Sequence, residues 1–150
     1  MSPSDRVQSV LQFKGGALWT VSPDATVYEA IQMMSDREIG ALPVVSSSGE
    51  LEGIFSERDY ARKIILQGRS SRDTLVREIM TADPVTVTLG DSVEHCMRIM
   101  TDHRVRHLPV CDGRKLVGIV SIGDLVNWII SAHEEAISHL TSYIAGGYPG

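Results

Sequence analysis

Apolar residues recur at helical spacing in two separate stretches of this chain. Val27, Ala30, Ile31 and Met34 form one stripe, and Val93, Cys96, Met97 and Met100 form the other. Residues three and four apart share a helix face, so each stretch predicts an amphipathic helix. Thr26-x-x-Glu29 gives the first helix a capping box, in which each side chain accepts from the other residue's backbone N–H. Each helix gives way to a short apolar run, at 41–45 and 107–111, that predicts a strand. Ser48-Gly49 and Asp112-Gly113 then mark turns, with second strands at 51–55 and 116–120. A second helix begins after Ser56 and again after Ser121. One more short strand precedes each capping region, near 17–21 and 85–88. The predicted unit is β-α-β-β-α, used twice, in the α/β (α+β) class.

The two copies align residue by residue. Positions 21–45 match 87–111 at an offset of 66, and 51–65 match 116–130 at an offset of 65. Of the 40 aligned pairs, 14 are identical. They include Leu-Pro-Val at 42–44 and 108–110, and Gly-Ile-x-Ser-x-x-Asp at 53–59 and 118–124. Composition alone does not place two triplets and two heptads in register, so the chain is a tandem duplication. The reading divides it into an N-terminal segment (1–14), a first repeat (15–67), a linker (68–83), a second repeat (84–131) and a C-terminal helix and tail (132–150). A unit of about 60 residues buries too little surface to stand comfortably alone, so the two should pack about a pseudo-twofold axis. From Leu125 to Ile130, five of six residues are apolar, a wider stripe than one core requires. The excess predicts contact with the other repeat and with a second subunit. The helical signal continues over 134–144 and stops at Gly146-Gly147 and Pro149.

Composition narrows the class without altering this picture. With 43% hydrophobic and 22% charged residues, the chain is globular. Aromatics make up only 5%, so the core is aliphatic. A formal net charge of −5 argues against a nucleic-acid partner. No apolar run approaches the ~20 residues of a membrane helix, so no membrane partner is expected. The opening residues lack the basic and apolar regions of a secretory signal. Cys96 and Cys111 form no CxxC pair, which predicts a reducing compartment, the cytoplasm.

The ordered motifs resemble the CBS domain pair, or Bateman module, named after cystathionine β-synthase. The residues that carry the resemblance are Ala41-Leu42-Pro43-Val44-Val45 and Gly53-Ile54-Phe55-Ser56-Glu57-Arg58-Asp59. Their partners are Arg106-His107-Leu108-Pro109-Val110 and Gly118-Ile119-Val120-Ser121-Ile122-Gly123-Asp124. The match covers about residues 15–130 and leaves no room for an attached enzyme, so a stand-alone regulatory pair of the bacterial type is expected. The resemblance implies two pseudo-twofold-related CBS units with two clefts for adenosine ligands. AMP comes first; ATP, ADP, NAD(H) and S-adenosylmethionine are the others. It implies Asp59 and Asp124 as ribose acceptors, with Ser56 and Ser121 beside them. Lys14, Gly15 and on to Trp19, and Thr81 through Pro84 and Val85, are the implied adenine-flanking segments. Arg104, Arg106 and His107 are the implied phosphate contacts, with Arg58 within reach. A disc-like homodimer and an unknown regulated protein complete the expectation.

The chemistry of these residue types agrees. A carboxylate accepts from both hydroxyls of a cis-diol, and in the first turn of a helix it is favoured by the dipole. Backbone N–H groups there receive a phosphate. Arg106 offers a planar fork with two parallel donors. Ser-x-x-Asp is equally a helix start with serine as the cap, and the two roles are compatible. The copies differ where phosphate would sit. Glu38, Gly40 and Ala41 stand where the second copy has Arg104, Arg106 and His107, so unequal clefts are expected. Phe55, aligned with Val120, is expected to crowd one adenine slot. Arg62, Lys63, Arg69, Arg72 and Arg77 read as a solvated basic face. Cys96, His103, His107 and Cys111 are donors that zinc accepts. Both cysteines align with core positions, however, and no metal is expected. No P-loop, GxGxxG, HExxH or Ser/His/Asp arrangement is present, so no enzyme is expected. The expected function is regulatory adenine-nucleotide binding. The alternative is a ligand-independent dimeric adaptor acting through its helices.

Overall fold

A computed structural model describes residues 5–142. The chain begins with helix α1 (Val7–Lys14) and then builds α2 (Val27–Arg37), β1 (Ala41–Val45), β2 (Leu51–Ser56) and α3 (Glu57–Tyr60). Helix α3 runs on as a π-helical turn over Ala61–Ile65. After α4 (Val76–Ile79) and β3 (Thr81–Ala82), the second copy repeats the plan with α5 (Val93–His103), β4 (His107–Asp112), β5 (Lys115–Ser121) and α6 (Ile122–Ser142). The expected stop at Gly146-Gly147 and Pro149 lies outside the described residues.

Local chemistry explains the element boundaries. The Thr26 hydroxyl accepts from the Glu29 N–H, and the Glu29 carboxylate accepts from the Thr26 N–H. Ser92 caps α5 with its hydroxyl alone, which accepts from the His95 N–H at 3.0 Å. Both helices end in a left-handed residue, Glu38 and Arg104, each with φ 54°. The hairpins turn at Gly49 (φ 83°) and Gly113 (φ 63°), where only glycine adopts the required backbone easily. Registers match between copies: Leu42 lies opposite Phe55, and Leu108 opposite Val120. The two turns pair with each other, Leu51 N–H donating to Arg114 O at 3.0 Å and Leu116 N–H to Gly49 O at 3.2 Å. The pseudo-twofold axis runs between them.

The strands expected near 17–21 and 85–88 contract to single parallel bridges, Val21 to Val44 and Val87 to Val110. The next rung of each ladder would need an N–H from Pro43 or Pro109, and proline has none. Phe55 is fully buried against Leu42 and Val44 in the first core, so it does not crowd an adenine slot. Its pleat neighbour Ile54 faces the other way.

The segment before the first repeat and the one between the repeats both turn out to be structural. Val7 and Val10 of α1 are buried in the second unit's core, with Val93, Leu108, Val120 and Leu125. Val76 and Ile79 of α4 complete the first core, with Val27, Leu42, Phe55 and Ile64. The backbone contacts are the same at both places. Val7 N–H donates to Asp91 O, Gln8 N–H to Leu89 O, and Val93 N–H to Asp5 O. Correspondingly, Val76 N–H donates to Ala25 O, Arg77 N–H to Pro23 O, and Val27 N–H to Thr74 O. Each unit's leading helix therefore docks on the other unit. The segment read as a linker, 68–83, thus contains a core helix, and so does the described part of the N-terminal segment, residues 5–14.

This crossing also explains the glycine of Gly-Ile-x-Ser. A methyl group on Gly53 would stand 2.7 Å from the Thr81 carbonyl oxygen and 2.7 Å from Met80 Sδ. On Gly118 it would meet only the Leu11 side chain, at 2.8 Å. Backbone yields less than a leucine rotamer. Gly53→Ala should therefore cost about 1–3 kcal/mol, the range for overpacking. Gly118→Ala should cost clearly less. Urea melts of the two variants check the order, and an equal or reversed order would refute it.

Candidate functional site

The first Ser-x-x-Asp motif closes on itself before it can serve anything else. Asp59 Oδ2 accepts from the Ser56 N–H and hydroxyl, each at 3.0 Å, and Ser56 Oγ accepts from the Asp59 N–H at 3.2 Å. Asp59 Oδ1 receives the Thr81 hydroxyl at 3.2 Å and Lys63 Nζ at 3.0 Å. Lys63 also donates to Ile79 O at 3.0 Å, tying α3 to α4. The serine caps the helix, and the carboxylate is fixed by it at the edge of a cleft.

That cleft is a cavity of about 790 Å³ between the units, within the range of small-molecule sites. Ser56, Arg58 and Asp59 line it from the first unit, Thr81, Pro84 and Val85 from the crossing segment, and Arg106 and His107 from the second unit. Eight of the expected residues are thus brought together. His103, which sequence places in one basic patch with Arg106 and His107, also lines the cavity, and so do two cations that sequence assigns to a solvated face, Arg62 and Lys63. Asp59 and Lys63 stand four apart on one helix, a spacing that signals an ion pair. The rest of the basic run is on the surface as expected. Arg69 pairs with Glu78, Arg77 with Asp24, and the Arg72 guanidinium lies over the Tyr28 ring.

Among the described residues, Arg62 and Arg106 form no ion pair or side-chain hydrogen bond. They reach the cavity from opposite units. Arg58 donates to Arg104 O at 3.0 Å, so Arg104 supplies a carbonyl there and its side chain does not line the cavity. His107 is half-buried, and a methyl group on Gly40 would lie 3.5 Å from its Cε1. Burial lowers its pKa below the ordinary imidazole value, aided by Lys14 and Arg106 and opposed by Asp124 and Glu57. It therefore faces the cavity as a neutral ring at pH 7.

Of the remaining expected residues, Lys14, Ser121 and Asp124 come together at the second motif, while Trp19 and Arg104 do not join them. Asp124 Oδ2 accepts from the Ser121 N–H at 2.8 Å, and Ser121 Oγ accepts from the Asp124 N–H at 3.1 Å. Lys14 Nζ lies 2.7 Å from Asp124 Oδ2. Trp19 packs against the first core with the Arg37 guanidinium 3.8 Å over its ring. No cation stands where Arg62 and Arg106 stand in the first cleft: the matching positions hold Asn127 and Gly40.

The cysteines sit in the second unit, Cys96 fully buried and Cys111 at 6% exposure. Burial pushes the Cys96 thiol up to about 11 and raises Cys111 as well, so neither is a ready thiolate. Among the described residues, no group of three His, Cys, Asp or Glu comes together as a metal site. No described helix is long and apolar enough to cross a membrane.

Comparison with known proteins agrees with the duplicated fold. The sequence model of the CBS domain matches residues 17–66 and again 76–131. The CBS domain-containing protein CBSX3, mitochondrial, of Arabidopsis thaliana is 43% identical over 154 residues, spanning 97% of this chain and 74% of that protein. A CBS-domain protein from Burkholderia ambifaria MC40-6 superposes with a TM-score of 0.79 at 48% identity, covering 85% of this chain and 95% of its own. The CBS domain pair of protein MJ0100, solved in complex with 5′-methylthioadenosine and S-adenosyl-L-methionine, superposes with a TM-score of 0.76 at 27% identity, covering 87% and 99%.

Proposed function

The chain belongs to the CBS-domain family and carries the domain twice; from that premise we propose that it is a regulatory protein that binds an adenine nucleotide beside Asp59 and does not transform it. One observation carries the reading. Two unpaired guanidiniums, Arg62 and Arg106, approach one cavity from opposite units, and that cavity also holds a helix-capping carboxylate. Paired guanidiniums suit a phosphate. The carboxylate suits a ribose diol, which takes over from the Thr81 hydroxyl and Lys63 as donor to Asp59. Thr81, Pro84 and Val85 flank the base. The MJ0100 pair, with its two adenosine compounds, supports this ligand class.

AMP is the foremost ligand in this reading, and ADP, ATP or NAD(H) would use the same contacts. A ligand held by both units ties them together, and that change is what a regulated partner would sense. Two buried free thiols are in keeping with a reducing compartment such as the cytoplasm. Leu125 and Trp128 of α6 are buried in their own unit, but Val126 and Ile130 are 40% and 48% exposed. These two supply the face of a homodimer. Thermal melting with AMP, ADP, ATP, NAD, NADH and S-adenosylmethionine tests the reading. A ligand at 100 times its Kd should stabilise the fold by about 2.7 kcal/mol. No shift with any of them, or steady turnover of one, would overturn it.

A further inference from the structure

The two sheets are not equal, and the difference lies beside the two aspartates. In the first unit β3 adds a third strand to β2, pairing Thr81 with Ile54. Among the described residues, the second unit's sheet consists of β4 and β5 alone. At the matching edge, Lys14 Nζ donates to Ile119 O at 3.0 Å in place of a strand, and the same ammonium pairs with Asp124 Oδ2 at 2.7 Å. Lys14 is the last residue of α1, and α1 is held by buried Val7 and Val10 and by the packing of Phe13 on Trp128. The ammonium is thus delivered by a docked helix to the spot a ribose would need.

We infer that Lys14 closes the second cleft, so that the chain takes one nucleotide, beside Asp59, rather than two. This rests on the nucleotide reading above. Lys63 also pairs with Asp59, but it comes from the same helix and forms part of the wall of an open cavity. Lys14 comes from outside the motif and bridges the carboxylate to the strand edge. The second cleft offers an anionic ligand little in exchange, since Arg37 is engaged over Trp19 and no arginine matches Arg62 or Arg106.

Titration calorimetry with AMP and with adenosine separates the possibilities. The wild-type chain should bind one AMP, and Asp59→Ala should remove that site. Lys14→Met keeps the aliphatic stem and removes only the ammonium. It should open a second site for adenosine, raising the stoichiometry from one to two. That site should persist in Lys14→Met combined with Asp59→Ala. Lys14→Gln provides a second variant should the first not fold. Two sites in the wild type, or one site in a folded Lys14 variant, would overturn the inference while leaving the nucleotide reading intact. No heat from any adenosine compound would remove both.

Discussion

Trp128→Ala should lower the unfolding free energy by about 3–5 kcal/mol, the usual cost of deleting a large buried aromatic. Trp128 is 5% exposed and closes the second core together with Val7, Val10, Leu108 and Leu125. Its ring meets Phe13 edge to face, with centroids 5.3 Å apart. Removing it leaves a cavity under α6 and takes away the surface on which α1 docks. Because α1 and α4 cross between the units, the loss should be felt by the whole chain. Urea unfolding followed by far-ultraviolet circular dichroism should show one transition with a lower midpoint. A loss below about 1 kcal/mol, or two separate transitions, would contradict the packing described. Phe13→Ala gives the matching control. Phe13 is 48% exposed, so its effect should lie nearer the 0.5–1.5 kcal/mol of the aromatic contact itself.

Arg106→Ala should weaken AMP roughly ten- to a hundredfold and leave adenosine nearly unchanged. Hydrogen bonds to a charged group contribute about 1.5–3 kcal/mol. A tenfold change in affinity is about 1.4 kcal/mol. Only AMP offers the phosphate that the guanidinium holds. Arg106 lines the cavity of Asp59, although it belongs to the other repeat. Combining Arg106→Ala with Asp59→Ala should therefore give a non-additive loss, as expected of residues that share a ligand. Equal losses for AMP and adenosine in Arg106→Ala would show that this side chain supports the fold rather than the phosphate.

The parts of the fold that depend on short-range chemistry were legible in the sequence. Thr26 and Glu29 state a helix start, Ser48-Gly49 and Asp112-Gly113 state two turns, and the heptads state the duplication. What was not legible depends on contacts between distant segments. The leading helices α1 and α4 are short, and they match at an offset of 69 rather than 66, so the repeat alignment passes over them. Val7, Val10 and Leu11 carried the signal, a small apolar stripe at helical spacing. Arg62 and Lys63 read as part of a solvated face because they belong to a run of basic residues, and sequence does not show that this face borders the other unit. The π-helical turn takes up one extra residue, so that Ile64 rather than Lys63 is the buried counterpart of Trp128. Phe55 was misplaced for a simpler reason: a strand's alternation fixes which face a residue takes only once its partner strands are known.

The exchange of α1 and α4 bears on the covalent continuity of the chain. Each globular half is assembled from stretches far apart in sequence, and each surrenders a helix to its neighbour. The arrangement is that of a domain-swapped pair of one-repeat chains whose ends have been joined. Cutting the exposed stretch around Leu66 to Arg69 would not separate the halves, because each fragment would still hold a piece of the other's interior. The peptide between the repeats thus keeps the partners at high effective concentration, and the traded helices keep them clasped.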